Sequence, residues 1–191
     1  MVGDEGRASA IKDGQRWRIG DATEVAWIAA GTTPGLTITS AIPPIFEAYA
    51  ILVVPDGGEP RTQHERALLA LLRDESPDQP WWLGFLDTGG DDVVFPDVSM
   101  VTLYAGWRYV LVEAGPEQAA CWKAPSFLRG GLPDLIFPGD RSWLVSMLWD
   151  DDWRCVGGSA GFIDRLASDV RLESRSVKLG EDATPPGHQA R

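Results

Sequence analysis

Apolar and polar positions alternate along this chain in short runs, and the period of each run predicts an element. Between Gln63 and Arg73, QHERALLALLR places apolar residues at 67, 68, 71 and 72, the spacing of an amphipathic helix. An earlier short helix is predicted from Asp21-Ala22-Thr23-Glu24: Asp21 can cap the exposed N–H groups, Glu24 stands three residues on, and Gly31 ends the run. Leu36 to Ser40 alternates as a strand does, and Ala41-Ile42-Pro43-Pro44 opens a brief helix over IFEAYA, since proline suits a first turn. Ile51 to Val54 reads as a buried strand closed by Pro55-Asp56-Gly57-Gly58.

The second half is mostly strand-like: Trp81 to Leu86, Val93 to Phe95, Val101 to Tyr104 and Trp107 to Val112. Pro116 then starts the short helix EQAACW, and a loop from Ser126 to Pro133 leads to LIF, RSWLVSMLW and WRCV before a helix from Ser159 to Ala167. Strands gathered in one half and joined by short loops predict an α+β fold. The expectation is one domain over 15–174, with a mainly antiparallel or mixed sheet and short helices packed on one face. Residues 1–14 read as a flexible leader and 175–191 as a flexible charged tail.

Composition supports one core: 191 residues, 44% of them hydrophobic, leave little room for a second domain. The 9 Trp residues weight that core toward large aromatics whose indole N–H groups need partners. A net charge of −11 would repel nucleic-acid phosphates and anionic lipid, so neither is an expected partner, whereas a basic protein is. No apolar run approaches the ~18 residues that span a bilayer, and MVGDEGRASAIKDGQR lacks the apolar core of a secretion signal, which predicts a cytoplasmic protein. Cys121, Cys155, His64 and His188 are too few for a Cys/His zinc site, so no metal or cofactor is expected. Both cysteines read as small buried hydrophobes, with a disulfide between them left open. His64 reads as a surface residue near a helix start.

Two stretches carry candidate chemistry. GFLDTGGDDVVF (84–95) resembles the retropepsin family of aspartic proteases, with apolar residues before Asp-Thr-Gly and Asp-Asp after it. That resemblance implies Asp87 as catalytic aspartate, Thr88 as the brace of an aspartate pair and Gly89 as the turn glycine. Cys155-Val156-Gly157 before SAGFIDRLA would be the apolar-apolar-Gly segment of such an enzyme. The chemistry needs two carboxylates sharing one proton, and one Asp-Thr-Gly supplies one, so the alternative function is a homodimeric aspartic hydrolase. Turn chemistry at a strand end accounts for the same residues without catalysis, and no catalytic residue is the leading expectation.

WDDDW comprises Trp149, Asp150, Asp151, Asp152 and Trp153, flanked by two strand-like runs. It predicts a hairpin with the aspartates in its loop and Trp149 facing Trp153 across the strands. Acid beside exposed indole suits a basic protein partner, since Trp anchors interfaces and carboxylates steer Arg or Lys. Calcium-loop spacing is missing, and no phosphate-loop pattern surrounds the paired glycines.

SAIPPIFEAYA (40–50), LYAGWRYVLVEAGPEQA (103–119) and RSWLVSMLWDDDWRCVGG (141–158) resemble an uncharacterised family of actinobacterial proteins. The IPPIFEAYA stretch, the Pro-Asp-Gly-Gly turn, the aromatic strands and the acidic charge are also similar to the SUKH superfamily, which implies an immunity-like protein. The combined expectation is a non-enzymatic cytoplasmic protein-binding module using the acidic Trp149–Trp153 surface. The aspartic hydrolase, or a small-molecule enzyme with a pocket of Trp and carboxylates, is the alternative.

Overall fold

The computed structural model describes residues 8–89, 94–123, 131–148 and 151–189. Within them the chain forms a ten-stranded sheet whose pairings are all antiparallel, with four α-helices. The strands are β1 (Ser9–Lys12), β2 (Gln15–Ile19), β3 (Ala48–Val53), β4 (Trp81–Leu86), β5 (Val101–Leu103), β6 (Trp107–Ala114), β7 (Leu135–Pro138), β8 (Leu144–Ser146), β9 (Trp153–Gly158) and β10 (Ser174–Val177). Their spatial order is β1-β2-β6-β4-β7-β8-β9-β3-β10, with β5 paired to β6 off that path.

Both faces of the sheet are buried, which is why its central strands read as apolar runs rather than as clean alternation. Trp81, Leu83 and Phe85 of β4 and Val110 and Val112 of β6 point to one face. Trp82, Leu86, Tyr109 and Leu111 point to the other. The first face carries α2 (Gly58–Glu75), α3 (Pro116–Cys121) and α4 (Ala160–Ser168), through residues such as Leu68, Ala119 and Phe162. The second carries α1 (Ala22–Gly31) through Val25 and Ile28, so the helices are divided between the faces rather than gathered on one. The cap at Asp21 is as expected: its carboxylate accepts from the Thr23 N–H at 2.7 Å while Glu24 accepts from the Asp21 N–H at 2.9 Å.

Two segments expected outside the domain belong to it. Ser9–Lys12 pairs with Gln15–Ile19 across Asp13-Gly14, whose φ angles of 54° and 74° suit a two-residue hairpin turn. Ser174–Val177 pairs with β3 at the opposite edge, and Asp182 bridges Thr37 beyond it. Residues 1–7 and 190–191 of the expected leader and tail lie outside the described residues.

Three local expectations are corrected. Leu36 to Ser40 holds a 3-10 turn at Ile38–Ser40, not a strand, because Ile38 is buried in the second face's core and its neighbours close around it. IFEAYA is no helix: the chain turns through Pro43 to Glu47, and Ala48 to Val53 pairs with both β9 and β10. Two full ladders outweigh the local helix signal. Val94 and Phe95 form a bend instead of a strand, with Phe95 inserted against Trp122 at 5.4 Å between ring centroids, while Val93 lies outside the described residues.

Candidate functional site

The sheet register builds the WDDDW region from below. Leu144 pairs with Gly157 and Ser146 with Cys155, so β8 and β9 form the expected hairpin. Trp149 and Asp150 lie outside the described residues, and so does the expected pairing of Trp149 with Trp153. On the far side of the loop, the Asp151 N–H donates to the Leu148 carbonyl at 3.3 Å and the Val54 N–H to the Asp152 carbonyl at 3.1 Å. Trp153 starts β9, and strand alternation turns its indole inward beside Cys155, leaving it 4% exposed. The expectation of an exposed indole at 153 is therefore corrected: Trp153 is a wall, not a protruding anchor.

That wall faces a cleft. Two adjoining hollows of about 340 and 380 Å³ share Gly35, Ser40, Trp107 and Leu148. The first is completed by Leu36, Asp151, Trp153, Cys155, Ala183 and Thr184, and the second by the α1 exit at Thr32 to Pro34 and the β5–β6 turn. The cleft thus gathers residues from four stretches of the chain, among them one carboxylate and two indoles. Sequence reasoning named Asp151 and Trp153 but missed Trp107, Leu36 and the C-terminal residues. A Tyr-Ala-Gly-Trp turn gives no sign of what it faces across the fold.

Tyr104 fixes the inner end of the second hollow. It adopts φ 53° in the β5–β6 turn, a conformation uncommon for a bulky residue. Its hydroxyl donates to the Ala41 carbonyl at 3.1 Å and lies 2.8 Å from Ser146 Oγ. Burial pushes the Tyr104 phenol above its usual range. Burial, and secondarily the Asp151 charge, does the same to the Cys155 thiol. Both groups stay protonated at neutral pH, so neither is an activated nucleophile.

The C-terminal segment forms the outer side of the first hollow. The Ala183 N–H donates to the Leu36 carbonyl at 2.8 Å, and Arg175 donates to the Asp182 and Thr184 carbonyls at 2.9 and 3.4 Å. At the segment's end, His188 Nδ1 lies 2.7 Å from the Asp152 carboxylate, with its ring edge-on to Trp153 at 6.0 Å. His188, expected in a disordered tail, is thus packed on the acidic loop.

Asp87, Thr88 and Gly89 lie elsewhere, at the end of β4. The Asp87 N–H donates to the Arg108 carbonyl at 2.8 Å. Its Oδ1 accepts from the Gly89 N–H at 3.0 Å, and its Oδ2 takes the Arg108 guanidinium. With Gly89 at φ 76°, this is an Asx turn held by an ion pair, and Thr88 is exposed. Cys155-Val156-Gly157 is not beside it: β7 and β8 stand between β4 and β9. Gly157 has its own reason, since an added Cβ would lie 2.4 Å from Phe46 Cδ2. Gly90 to Asp92 of the same motif lie outside the described residues.

A buried cationic layer under α2 was not foreseen. His64, expected on the surface, is fully buried because α2 begins at Gly58 and turns Arg61, His64, Ala67, Leu68 and Leu72 to the sheet. Burial, with Arg154 and Arg61 nearby, lowers its pKa from 6.5 to about 4. Arg154 is fully buried on β9 and donates to the Pro133 carbonyl at 2.8 Å. Asp134 takes Lys123 at 2.8 Å and accepts from the Leu86 N–H at 3.0 Å, tying the β7 approach to β4. These polar groups brace the domain interior beneath residues 131–134; residues 126–130 of the expected loop lie outside the described set.

Cys121 is exposed and Cys155 buried, and both are free thiols, so the expectation of burial holds for one of them. Among the described residues, no group of three or more His, Cys, Asp and Glu side chains could hold a metal ion, and no helix is long and apolar enough to cross a membrane. Comparison of the chain with protein families, curated proteins and solved structures found no match.

Proposed function

We propose that this protein is a non-enzymatic, cytoplasmic binding module that holds a basic segment of another protein at the Asp151 cleft. The observation that carries the reading is the placement of Asp151 in a hollow walled by Trp107, Leu148 and Trp153. A Lys or Arg side chain has an apolar stem for the indole walls and a cationic head for the carboxylate. The volume of about 340 Å³ lies at the small end of ligand sites, which suits a side chain or short segment better than a large cofactor.

Two further features support it. The chain's charge of −11 attracts cationic partners at long range. Leu36, 56% exposed at the mouth, supplies apolar contact for a partner backbone. Trp153 acts here as part of the receiving wall.

The test is titration of a fluorescent Lys/Arg-rich peptide against a Glu-rich control. Wild-type protein is expected to bind the basic peptide, more weakly as salt rises. Replacing both aspartates (Asp151→Lys with Asp152→Lys) should weaken binding by at least roughly tenfold without changing the melting temperature, because each change removes an attraction and adds a repulsion. Equal binding of both peptides by the wild type, or an unaffected double variant, would refute the proposal.

A further inference from the structure

We infer that the C-terminal segment Asp182–His188 is a built-in competitor for the acidic loop beside this cleft: His188 occupies Asp152 and covers an edge of Trp153, and a basic partner binds by displacing it. This rests on the basic-partner reading. It is carried by a separate observation, that the chain already lays one of its own nitrogen bases on the acidic loop.

The segment is fastened unequally. Its root is held by the Thr37–Asp182 bridge, by the Ala183 N–H on the Leu36 carbonyl and by Arg175 on the Asp182 and Thr184 carbonyls. Past Thr184, Pro185 is still buried; beyond it Pro186 and Gly187 are exposed, and the His188 N–H turns back on the Pro185 carbonyl at 3.1 Å, with Gly187 at φ 85°. Among the described residues, the hydrogen bond from this tip to the rest of the fold is that of His188 with Asp152.

That tip contact resembles the proposed bound state: a nitrogen donor on an Asp of the loop, with the same ring set edge-on to Trp153. The Asp152 carboxylate remains 60% exposed beside His188, so an incoming cation can approach before His188 leaves. Exposed pairs of this kind are weak, which makes displacement easy. A competitor lowers apparent affinity by the fraction of molecules in which it is closed. Ala183 and Thr184 line the hollow from the root, so the cleft keeps its outer side while the tip swings away.

The experiment compares wild type with His188→Ala for binding of the same Lys/Arg-rich peptide, and follows the His188 ring by NMR during titration. His188→Ala is expected to bind roughly fivefold tighter, the scale of one hydrogen bond. In wild type, the His188 resonances should move with saturation toward their positions in an Asp152→Asn variant. Equal or weaker binding by His188→Ala, or ring signals that stay fixed at saturation, would overturn the competitor while leaving the basic-partner reading intact. Failure of both proteins to prefer the basic peptide would overturn both.

Discussion

Trp143 donates its indole N–H to Ser76 Oγ at 2.8 Å, joining the approach to β8 to the end of α2 across 67 positions of sequence. Trp143 is fully buried and Ser76 is 4% exposed, and the Trp81 and Trp143 rings meet edge-on at 5.2 Å. Removing the hydroxyl leaves a buried N–H without its acceptor. Ser76→Ala is therefore expected to cost ~1–3 kcal/mol, read as a lower urea midpoint at unchanged slope. In a double-mutant cycle with Trp143→Phe, the two losses should be less than additive.

His64 gives the fold an acid sensitivity of known sign. Its ring nitrogens have no hydrogen-bond partner among the described residues, and burial holds its pKa at about 4 against 6.5 in the unfolded chain. Between those values the unfolded state binds the proton and the folded state does not, so stability rises with pH through that window and falls on acidification. The contribution is roughly 3 kcal/mol when complete. His64→Leu should flatten this part of the stability profile between pH 6.5 and 4, measured by urea unfolding at stepped pH. An unchanged slope would place the acid sensitivity elsewhere.

Gly84 faces Leu135 across the β4–β7 ladder, and a Cβ on it would stand 2.7 Å from the Leu135 Cβ. A Cβ, bonded directly to the backbone, cannot swing away as a side-chain tip can. Gly84→Ala is expected to destabilise by ~1–3 kcal/mol through overpacking. Leu135→Ala keeps that Cβ and should not relieve the clash, whereas Gly84→Ala with Leu135→Gly should couple favourably, which thermal unfolding of the single and double variants would show.

Asp87 and Arg108 close the strand end beside the Asp-Thr-Gly turn, and Arg108 is 65% exposed. Water screens the pair from the arginine side, while the Asp87 side chain is 8% exposed. Asp87→Asn keeps an acceptor for the Gly89 N–H and loses only the ion pair, so a cost of ~0.5–1 kcal/mol is expected, shrinking as salt is raised. A loss several times larger would mark the carboxylate as a core anchor.

Much of the fold was legible because local signals and tertiary demands agreed. Asp21 with Glu24, the 67/68/71/72 spacing and the Pro116 start each describe interactions within one turn of chain. Tertiary contacts reinforced them. The readings that failed are those where the two disagreed: IFEAYA carries a helix-like start but is claimed by two neighbouring strands. Asp13-Gly14 was a readable hairpin signal hidden in a stretch whose polarity suggested a loose leader.

The sequence by itself determined the α+β class, most strand and helix positions, the β8–β9 hairpin and the acidic character of its loop. Those depend on period, turn chemistry and charge, which are properties of neighbours along the chain. Only the tertiary structure decided that Trp153 is a wall and not an anchor, that Trp107 and Leu36 face Asp151, that His64 is buried with Arg154 below it, and that His188 reaches Asp152. Each of these joins positions far apart in sequence, and depends on which way a strand's register turns its side chains. A register is fixed by the whole sheet at once.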